Sequence, residues 1–327
     1  MTNSIHTGVQ LDHYRIEGVA ARSGMASIFR ATDLRTGKPV AVKIPHPEMQ
    51  RDPLLLERFR REEEIGTKLD HPWVMRVLRD GERSRAYMVM EWVPGIPLRQ
   101  LLNQLQPKLS QQRAIAITLA ICDALEYVHR NGVIHRDLKP ENVMVESVDG
   151  EDRIKLIDFG LANHASARQI TFSGPSDRMG TPDYISPEQV QGKRGDARSD
   201  LYALGVMLYE MLTGKVPFEG ANPLLAMNDR LVNNPVPPRE LNPSISPQLQ
   251  EIVYRALERD PWHRYANAHD FAWDLRHQDQ VCVADRLELQ DWMLRRTPWT
   301  RMILYYAALA VIPVVIFGLL MFVARLR

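Results

Sequence analysis

The chain has 327 residues, 45% of them hydrophobic and 25% charged, which is typical of a folded globular protein rather than a disordered one. Its 41 basic and 40 acidic residues leave a formal net charge of +1, and this argues against a nucleic acid as partner, because such binders rely on a basic field. Cys122 and Cys282, both in helix-like runs, are too few for a disulfide framework or a cysteine zinc site.

The first quarter of the chain is predicted to be rich in strands. Short segments with many valines and isoleucines, separated by turn signals, predict a small antiparallel sheet over residues 14–44. An aspartate followed by Pro53 is a typical helix start, and the charged helix that it opens is predicted to run to about residue 69. Strand patterns return at residues 73–79 and 86–92.

Helices dominate after Pro94 and Gly95. Apolar residues at helical spacing predict four helices, at residues 111–129, 200–212, 249–259 and 268–276. Brief apolar strands lie between polar loops, at residues 133–134, 143–145 and 154–157. The proline-rich stretch at residues 233–247 is predicted to be a loop.

The last part of the chain is predicted to cross a membrane. Residues 302–324 carry no charge, and as a helix they are long enough to cross a hydrocarbon core of ~30 Å. Arginines precede this stretch, and tryptophans and tyrosines lie near its expected interfaces. A buried core helix is the alternative. Residues 277–301 then form a linker and residues 325–327 a short tail, and the sequence leaves a homodimer through the helix open.

Two motifs carry the chemistry. The first is the run from His135 to Asn142, HRDLKPEN, and the second is the run from Asp158 to Gly160, DFG, directly after a predicted strand. Phosphoryl transfer needs metal-bound phosphates, a positioned hydroxyl and neutralised charge, and these motifs supply acids, an amide and a lysine in fixed order. Together they strongly resemble the catalytic and metal-binding loops of eukaryotic-like protein kinases.

The resemblance spans roughly residues 14–276 and implies an α+β, bilobal protein-kinase-like fold. The sheet-rich N-lobe would cover residues 14–93 and the helical C-lobe residues 94–276, after an N-terminal extension at residues 1–13. Bacterial membrane-anchored members of the family are the most similar. We therefore expect the kinase domain to face the cytoplasm, at a bacterial inner membrane.

The resemblance also assigns roles in catalysis. Asp137 would orient the substrate hydroxyl and accept its proton, and Lys139 would steady the transferred phosphate. Asn142 and Asp158 would hold Mg²⁺, with Mn²⁺ as an alternative metal.

A lysine and a glutamate in the N-lobe match two further positions of the family. Lys43, in the run Val-Ala-Val-Lys, matches the lysine that binds the α- and β-phosphates of ATP. Glu62 would be its ion-pair partner, and the adjacent Glu63 and Glu64 remain alternatives for that role.

The nucleotide site is expected where the lobes meet. Met90 would be the gatekeeper, backbone groups from Glu91 to Val93 would bind adenine, and three apolar side chains would sandwich its ring: Ile28, Ala41 and Met144. The family's glycine-rich loop is altered here, since Ala21, Ser23 and Ala26 stand at its usual glycine positions. Gly24 remains in the turn. Because glycine allows close approach of the backbone to the phosphates, we expect a raised KM for ATP.

The stretch from Gly180 to Glu188 resembles the end of a kinase activation segment and is expected to face the acceptor, and phosphorylation between Gly160 and Ser186 is expected to regulate the enzyme. Lys139 and Thr181 match features of the serine/threonine class. Arg136 would pair with a phosphate on this segment, and three hydroxyl residues are candidates to carry that phosphate: Thr171, Ser173 and Ser176.

Further matches lie around this segment. Glu188 is expected to pair with Arg264, and Asp200 is expected to brace the catalytic loop. The sequence therefore predicts a serine/threonine protein kinase that acts on protein acceptors and phosphorylates its own activation segment. A membrane-anchored pseudokinase or scaffold is the alternative, and a small-molecule kinase is a third.

Overall fold

The computed structural model describes residues 6–23, 25–79, 81–104, 108–158, 182–220 and 222–284. These residues form a lobe built on a six-stranded sheet, followed by a larger helical lobe with a three-stranded sheet. The bilobal fold expected from the sequence is confirmed.

The N-lobe sheet is antiparallel, with strand order β1-β2-β3-β4-β6-β5. Its strands are β1 (Gln10–Leu11), β2 (Tyr14–Arg22), β3 (Ala26–Asp33), β4 (Pro39–Pro45), β5 (Val77–Leu78) and β6 (Met88–Glu91). Along β2 the side chains of Tyr14 and Ile16 are buried while Arg15 and Glu17 are exposed, which is the alternation of a sheet with one covered face.

Two helices follow β4, namely α1 (Pro47–Arg51) and α2 (Pro53–Gly66). The carboxylate of Asp52 accepts hydrogen bonds from the amides of Leu54 at 2.9 Å and Leu55 at 3.4 Å, so it caps the N-terminus of α2. The helix ends at Gly66, where an added Cβ would lie 2.2 Å from a methyl group of Val77. This glycine lets α2 lie directly against β5.

The C-lobe is assembled around one buried helix, α6, in which every residue from Ser199 to Thr213 is buried. The helices of this lobe are α3 (Leu98–Gln104), α4 (Gln111–Arg130), α5 (Pro187–Val190), α6 (Ala197–Thr213), α7 (Pro223–Val232), α8 (Pro238–Leu241), α9 (Pro247–Ala256) and α10 (Ala268–Arg276). Short 3-10 helices lie at Pro140–Asn142, Pro182–Tyr184, Pro261–His263 and Gln278–Gln280. Helices α4 and α9 pack on α6, and α10 packs on both.

A small sheet lies where the two lobes meet, with strand order β7-β8-β9. Its strands are β7 (Ile96–Pro97), β8 (Val143–Val148) and β9 (Glu151–Leu156). Gly95, just before β7, has φ +96°, and a Cβ there would lie 2.2 Å from the carbonyl oxygen of Val145. Glycine is therefore required where the chain passes from the N-lobe to the C-lobe.

Three sequence-based predictions need correction. Residues 133–134 form no strand, α8 lies inside the stretch 233–247 that was predicted to be a loop, and α2 ends at Gly66 rather than near residue 69. None of the helices in the described part of the chain has the length and apolar character that a membrane crossing requires. The predicted span at residues 302–324 lies outside the described residues.

Candidate active site

The side chain of Lys43 lies at the centre of the site. It projects from β4 and is 9% exposed. Its Nζ lies 2.6 Å from Oε1 of Glu62 on α2 and 3.1 Å from Oδ1 of Asp158, which follows β9. One ammonium group thus joins the sheet, the helix and the loop after β9.

The three neighbouring glutamates of α2 have different partners. Glu63 contacts Nη2 of Arg83 at 2.5 Å, and Glu64 contacts Lys68 at 2.8 Å on the exposed side of the helix. Only Glu62 of these three faces Lys43. The helical spacing of about 100° per residue explains why adjacent glutamates reach different surroundings.

Burial and mutual attraction shift the pKa values of this group in different directions. Burial raises the pKa of Glu62 to about 7, although Lys43 opposes the shift. Burial would also raise the pKa of Asp158, but the ammonium of Lys43 outweighs it and lowers that pKa to about 2. The two carboxylates together raise the pKa of Lys43 above its usual value despite burial, so this lysine stays charged.

The catalytic loop follows α4 and places Asp137 between two partners. Its Oδ2 accepts hydrogen bonds from Nζ of Lys139 at 2.7 Å and from Nδ2 of Asn142 at 3.2 Å. The same amide nitrogen donates to the backbone carbonyl of Asp137 at 2.7 Å. The lysine and the amide therefore fix the orientation of the carboxylate.

Asp200, buried in α6, holds the backbone of the catalytic loop through hydrogen bonds. Its carboxylate accepts hydrogen bonds from the amides of His135 at 2.9 Å and Arg136 at 2.7 Å, and it contacts Nε2 of His129 at 2.8 Å. Burial would raise the pKa of Asp200, but these hydrogen bonds and the histidines outweigh it and lower the pKa. Arg136 has φ 62°, a conformation that L-residues rarely adopt.

The hairpin of β8 and β9 brings Asn142 and Asp158 to one end of the site. Asn142 directly precedes β8, Asp158 lies two residues after β9, and Val143 pairs with Leu156 across the hairpin. The amide of Ile157 donates to the carbonyl of Asn142 at 2.9 Å. The two predicted metal ligands are therefore positioned by the same strand pair.

The donor set fits a hard divalent cation that arrives with its own oxygen ligands. Asp158 is ionised, and the carbonyl oxygen of the Asn142 side chain makes no hydrogen bond within the described residues. No group of three or more His, Cys, Asp or Glu side chains in that part of the chain is arranged to hold a metal. Phosphate and water oxygens would complete the coordination.

Three of the residues predicted to surround adenine lie together in the N-lobe. Ile28, Ala41 and Met90 belong to one apolar cluster, and Ala41 pairs with Met90 across β4 and β6. The amide of Glu91 donates a hydrogen bond to the carbonyl of Arg76 at 3.0 Å. The backbone of Val93 makes no hydrogen bond within the described residues. Met144 lies in β8, outside that apolar cluster, and is partly buried.

The turn that replaces the glycine-rich loop is closed by Ser23. Its Oγ accepts hydrogen bonds from the amides of Met25 at 3.3 Å and Ala26 at 3.1 Å, and its own amide donates to the carbonyl of Ala26 at 2.9 Å. Ala21 is exposed in β2, opposite Ile28. Two amides of the turn are thus already engaged by a side chain.

The segment that ends at Glu188 is tied to the C-lobe core. Arg264, with 0% of its side chain exposed, donates to Glu188 at 2.8 and 2.7 Å, and Ser199 donates to the same carboxylate at 2.6 Å. Arg264 outweighs burial and lowers the pKa of Glu188. The hydrogen bond from Ser199 holds the end of the segment on α6, and the ion pair ties it to the loop before α10.

A second ionic group at this segment was not predicted from the sequence. Arg99, at the start of α3, contacts Glu141 of the catalytic loop at 3.0 Å and Glu210 of α6 at 2.6 Å. It also donates to the hydroxyl of Tyr184. These four residues are far apart in sequence, and no spacing rule connects them.

The regulatory candidates are described only in part. Arg136 lies at the site, where burial and the nearby cation of Arg194 lower its pKa. Five further residues with predicted roles lie outside the described residues: Gly24, Thr171, Ser173, Ser176 and Thr181.

Comparison with known proteins places this geometry in context. The family model described as the protein kinase domain matches residues 22–274. A probable serine/threonine-protein kinase of Streptomyces coelicolor is 39% identical over 267 residues, which covers 80% of this chain and 39% of the relative. The serine/threonine-protein kinase PknB of Mycolicibacterium smegmatis is 36% identical over 269 residues, covering 81% and 42%.

Solved structures agree with this similarity. The crystal structure of the PknI kinase domain of Mycobacterium tuberculosis superposes with a TM-score of 0.65 at 26% identity, and it covers 84% of this chain and 100% of that domain. The chain spans about two fifths of the length of the curated relatives that it matches.

Proposed function

The chain belongs to the protein kinase domain family, and on that basis we propose that it is a serine/threonine protein kinase that transfers the γ-phosphate of ATP to protein hydroxyls. One observation carries the proposal. Lys43 contacts Glu62 and Asp158 at 2.6 and 3.1 Å, in a chain whose Asp137 is oriented separately by Lys139. The first group suits phosphate binding, and the second suits activation of a hydroxyl.

The proposed mechanism gives each of these residues one task. Asp137 accepts a hydrogen bond from the acceptor hydroxyl and takes its proton as the new bond to phosphorus forms. Lys139, 2.7 Å from Asp137, neutralises charge on the transferred group. Lys43 binds phosphate oxygens, and Glu62 keeps its ammonium in position.

ATP and a divalent metal are the cofactors that the family implies, and we propose Mg²⁺ as that metal. When bound, the cation would neutralise phosphate charge. Asn142 and Asp158 would hold it, since both offer hard oxygen donors at one end of the β8–β9 hairpin. Ile28, Ala41 and Met90 would enclose the adenine, with the free backbone groups of Val93 as its hydrogen-bond partners.

Location and regulation remain proposals with support from sequence alone. The uncharged stretch at residues 302–324 supports a membrane helix that holds the kinase domain at the cytoplasmic face of a bacterial membrane. Arg136 supports control by a phosphate on the segment before Glu188.

The proposed activity is tested by incorporation of radiolabelled phosphate from ATP into a generic protein acceptor, with Mg²⁺ present. The wild type is compared with Asp137→Ala and Lys43→Met. Asp123→Asn is the matched control, because Asp123 forms an exposed ion pair with Arg276 and belongs to none of the groups described above. Loss of incorporation by a factor of ~10² or more in the first two variants, with the control unchanged, is expected. Equal incorporation in all four proteins would contradict the proposal.

A further inference from the structure

Four side chains form an ionic group beside the catalytic loop, here called the Arg99 cluster: Arg99, Glu141, Tyr184 and Glu210. Nε of Arg99 donates to Oε1 of Glu141 at 3.0 Å. Nη1 and Nη2 donate to the two oxygens of Glu210 at 2.6 and 3.4 Å. The hydroxyl of Tyr184 also donates to Glu210 at 2.5 Å. One guanidinium thus counters the charges of two carboxylates.

The cluster lies next to the place where the acceptor must bind. Glu141 immediately precedes Asn142 in the catalytic loop. Tyr184 lines a small cavity of about 60 Å³ together with Asp137 and Lys139. Since Asp137 is the proposed base, residues that flank the acceptor hydroxyl pass close to Tyr184 and Glu141.

Two carboxylates in such a place would attract a basic residue of the acceptor chain if nothing else paired with them. Here Arg99 already does. Glu210 is 8% exposed, and the side chains of Arg99 and Glu141 are 25% and 38% exposed. A second cation would therefore have to displace Arg99 to reach both carboxylates. Displacing a hydrogen-bonded, partly buried ion pair is unfavourable.

We propose that Arg99 sets acceptor specificity as an internal cation. Arg99 forms ion pairs with Glu141 and Glu210, so neither carboxylate is available to a cation of the acceptor. The enzyme therefore selects acceptors that have a neutral or acidic residue, rather than arginine or lysine, at the flanking position next to Glu141. This inference rests on the proposed kinase activity.

Neighbouring charges agree with this inference. Burial raises the pKa of Asp183, which lies next to the cluster. Arg230 is fully buried and donates to the carbonyls of Ile185 and Asp183 at 2.6 and 2.7 Å. Oε2 of Glu141 is buried and has no hydrogen-bond partner among the described residues.

The test uses the full chain and a positional peptide library, in which one flanking position at a time is fixed as arginine, lysine, alanine or glutamate. The wild type is expected to discriminate against arginine at one flanking position. Arg99→Met is expected to gain about tenfold in kcat/KM for arginine relative to glutamate at that position, since the carboxylates become available to the peptide.

Three further variants separate specificity from folding. Arg99→Lys keeps a cation and is expected to keep the wild-type profile. Arg99→Met combined with Glu210→Gln removes the buried unpaired charge, and it is expected to show less than a third of the gain for arginine. Arg113→Met removes an arginine that is also paired with a carboxylate, Asp152 at 2.6 Å, and is expected to leave the profile unchanged. Melting temperatures identify any variant that fails to fold.

The outcomes distinguish the inference from the proposed activity. A wild type that prefers arginine at a flanking position overturns the inference, as does a folded Arg99→Met with an unchanged profile. If Arg99→Met does not fold, the inference is judged on the other two proteins. It stands if the wild type discriminates against arginine and Arg99→Lys keeps that discrimination, and it fails if either does not. Failure of the wild type to phosphorylate any peptide or protein contradicts the kinase activity itself.

Discussion

Ser23 and Ala26 are joined by three hydrogen bonds that close the turn between β2 and β3, one of them from the hydroxyl of Ser23 to the carbonyl of Ala26 at 3.1 Å. The hydroxyl of Ser23 accepts a hydrogen bond from the amide of Ala26 at 3.1 Å, and the amide of Ser23 donates one to the carbonyl of Ala26 at 2.9 Å. The hydroxyl also accepts the amide of Met25. Backbone amides of this turn are the groups expected to contact ATP phosphates, so the serine competes with the nucleotide for them.

The variant Ser23→Ala is expected to lower the KM for ATP about three- to tenfold, because it frees two amides and a hydrogen bond contributes roughly 1 kcal/mol. Steady-state kinetics with varied ATP measure this. Ala21→Gly combined with Ser23→Gly should lower the KM further. Thr36→Ala is the matched control, since Thr36 caps another turn of the N-lobe through Lys38 at 3.3 Å. An unchanged or higher KM in Ser23→Ala contradicts the competition.

The pair of Lys43 and Glu62 predicts a dependence of activity on pH. Burial raises the pKa of Glu62 to about 7, so the residue gains a proton as the pH falls from 8 to 6 and its hold on Lys43 weakens. We expect kcat/KM for ATP to fall by about tenfold over this range. Asp158, with a pKa of about 2, stays ionised throughout and cannot cause this change.

Glu62→Gln provides the control, because an amide does not titrate. This variant is expected to have low activity with little dependence on pH between 6 and 8, whereas Glu64→Gln should retain the wild-type dependence. The same pH dependence in Glu62→Gln would assign the titration to another group.

The same residue predicts the opposite trend for stability. A carboxyl whose pKa is higher in the folded chain than its ordinary 4.5 stabilises the fold fully below that pH, and the contribution is lost as the pH rises through about 7. Between pH 5.5 and 8, the melting temperature of the wild type should therefore fall more than that of Glu62→Gln. Thermal unfolding of both proteins measures the difference, and parallel curves would contradict it.

A second tether of α2 predicts a loss of activity at a distance from the nucleotide. Arg83 contacts Glu63 at 2.5 Å, with 16% and 21% of their side chains exposed, and it donates to the carbonyl of Tyr87 at 2.5 Å. It therefore holds the helix that carries Glu62. Arg83→Met is expected to reduce kcat/KM for ATP about 5- to 30-fold, the equivalent of 1–2 kcal/mol.

The neighbouring exposed pair supplies the control for this prediction. Glu64→Ala removes a contact with Lys68 in which both side chains are more than half exposed, and such pairs contribute little. Its activity should match the wild type. Equal losses in Arg83→Met and Glu64→Ala would show that the tether of Arg83 has no special role.

The elements that the sequence predicted well have local signals. Helix α10 occupies residues 268–276 as predicted, and the side chain of Asn267 caps it at the amide of Asp270, 2.8 Å away. Helix α7 had such signals too, in Asn222 and Pro223, but the spacing of its apolar residues was not recognised. Helix α8 starts at a proline, so proline there opens a helix rather than excluding one.

The residues of the site also differ in whether a local sequence signal predicts their contacts. Asp137, Lys139 and Asn142 are close in sequence, and a motif can place them together. Which of three adjacent glutamates meets Lys43 depends on the rotation of α2 against the sheet, and the sequence left that choice open. Arg99 and Glu210 meet only because α3 and α6 converge on the catalytic loop, and no local pattern contains that information.

The ion pair of Glu188 and Arg264 predicts the largest effect on stability. Arg264 is 3% exposed as a residue and also donates to the carbonyl of Glu258 at 2.6 Å, so Arg264→Ala removes the cation that is paired with the buried carboxylate of Glu188. Breaking a buried pair in this way destabilises a fold by about 3–5 kcal/mol. Chemical denaturation should show this loss, whereas Arg276→Ala, which removes an exposed pair with Asp123, should change stability by less than ~1 kcal/mol. Similar unfolding midpoints for the two variants would mean that the segment ending at Glu188 is held mainly by its apolar contacts.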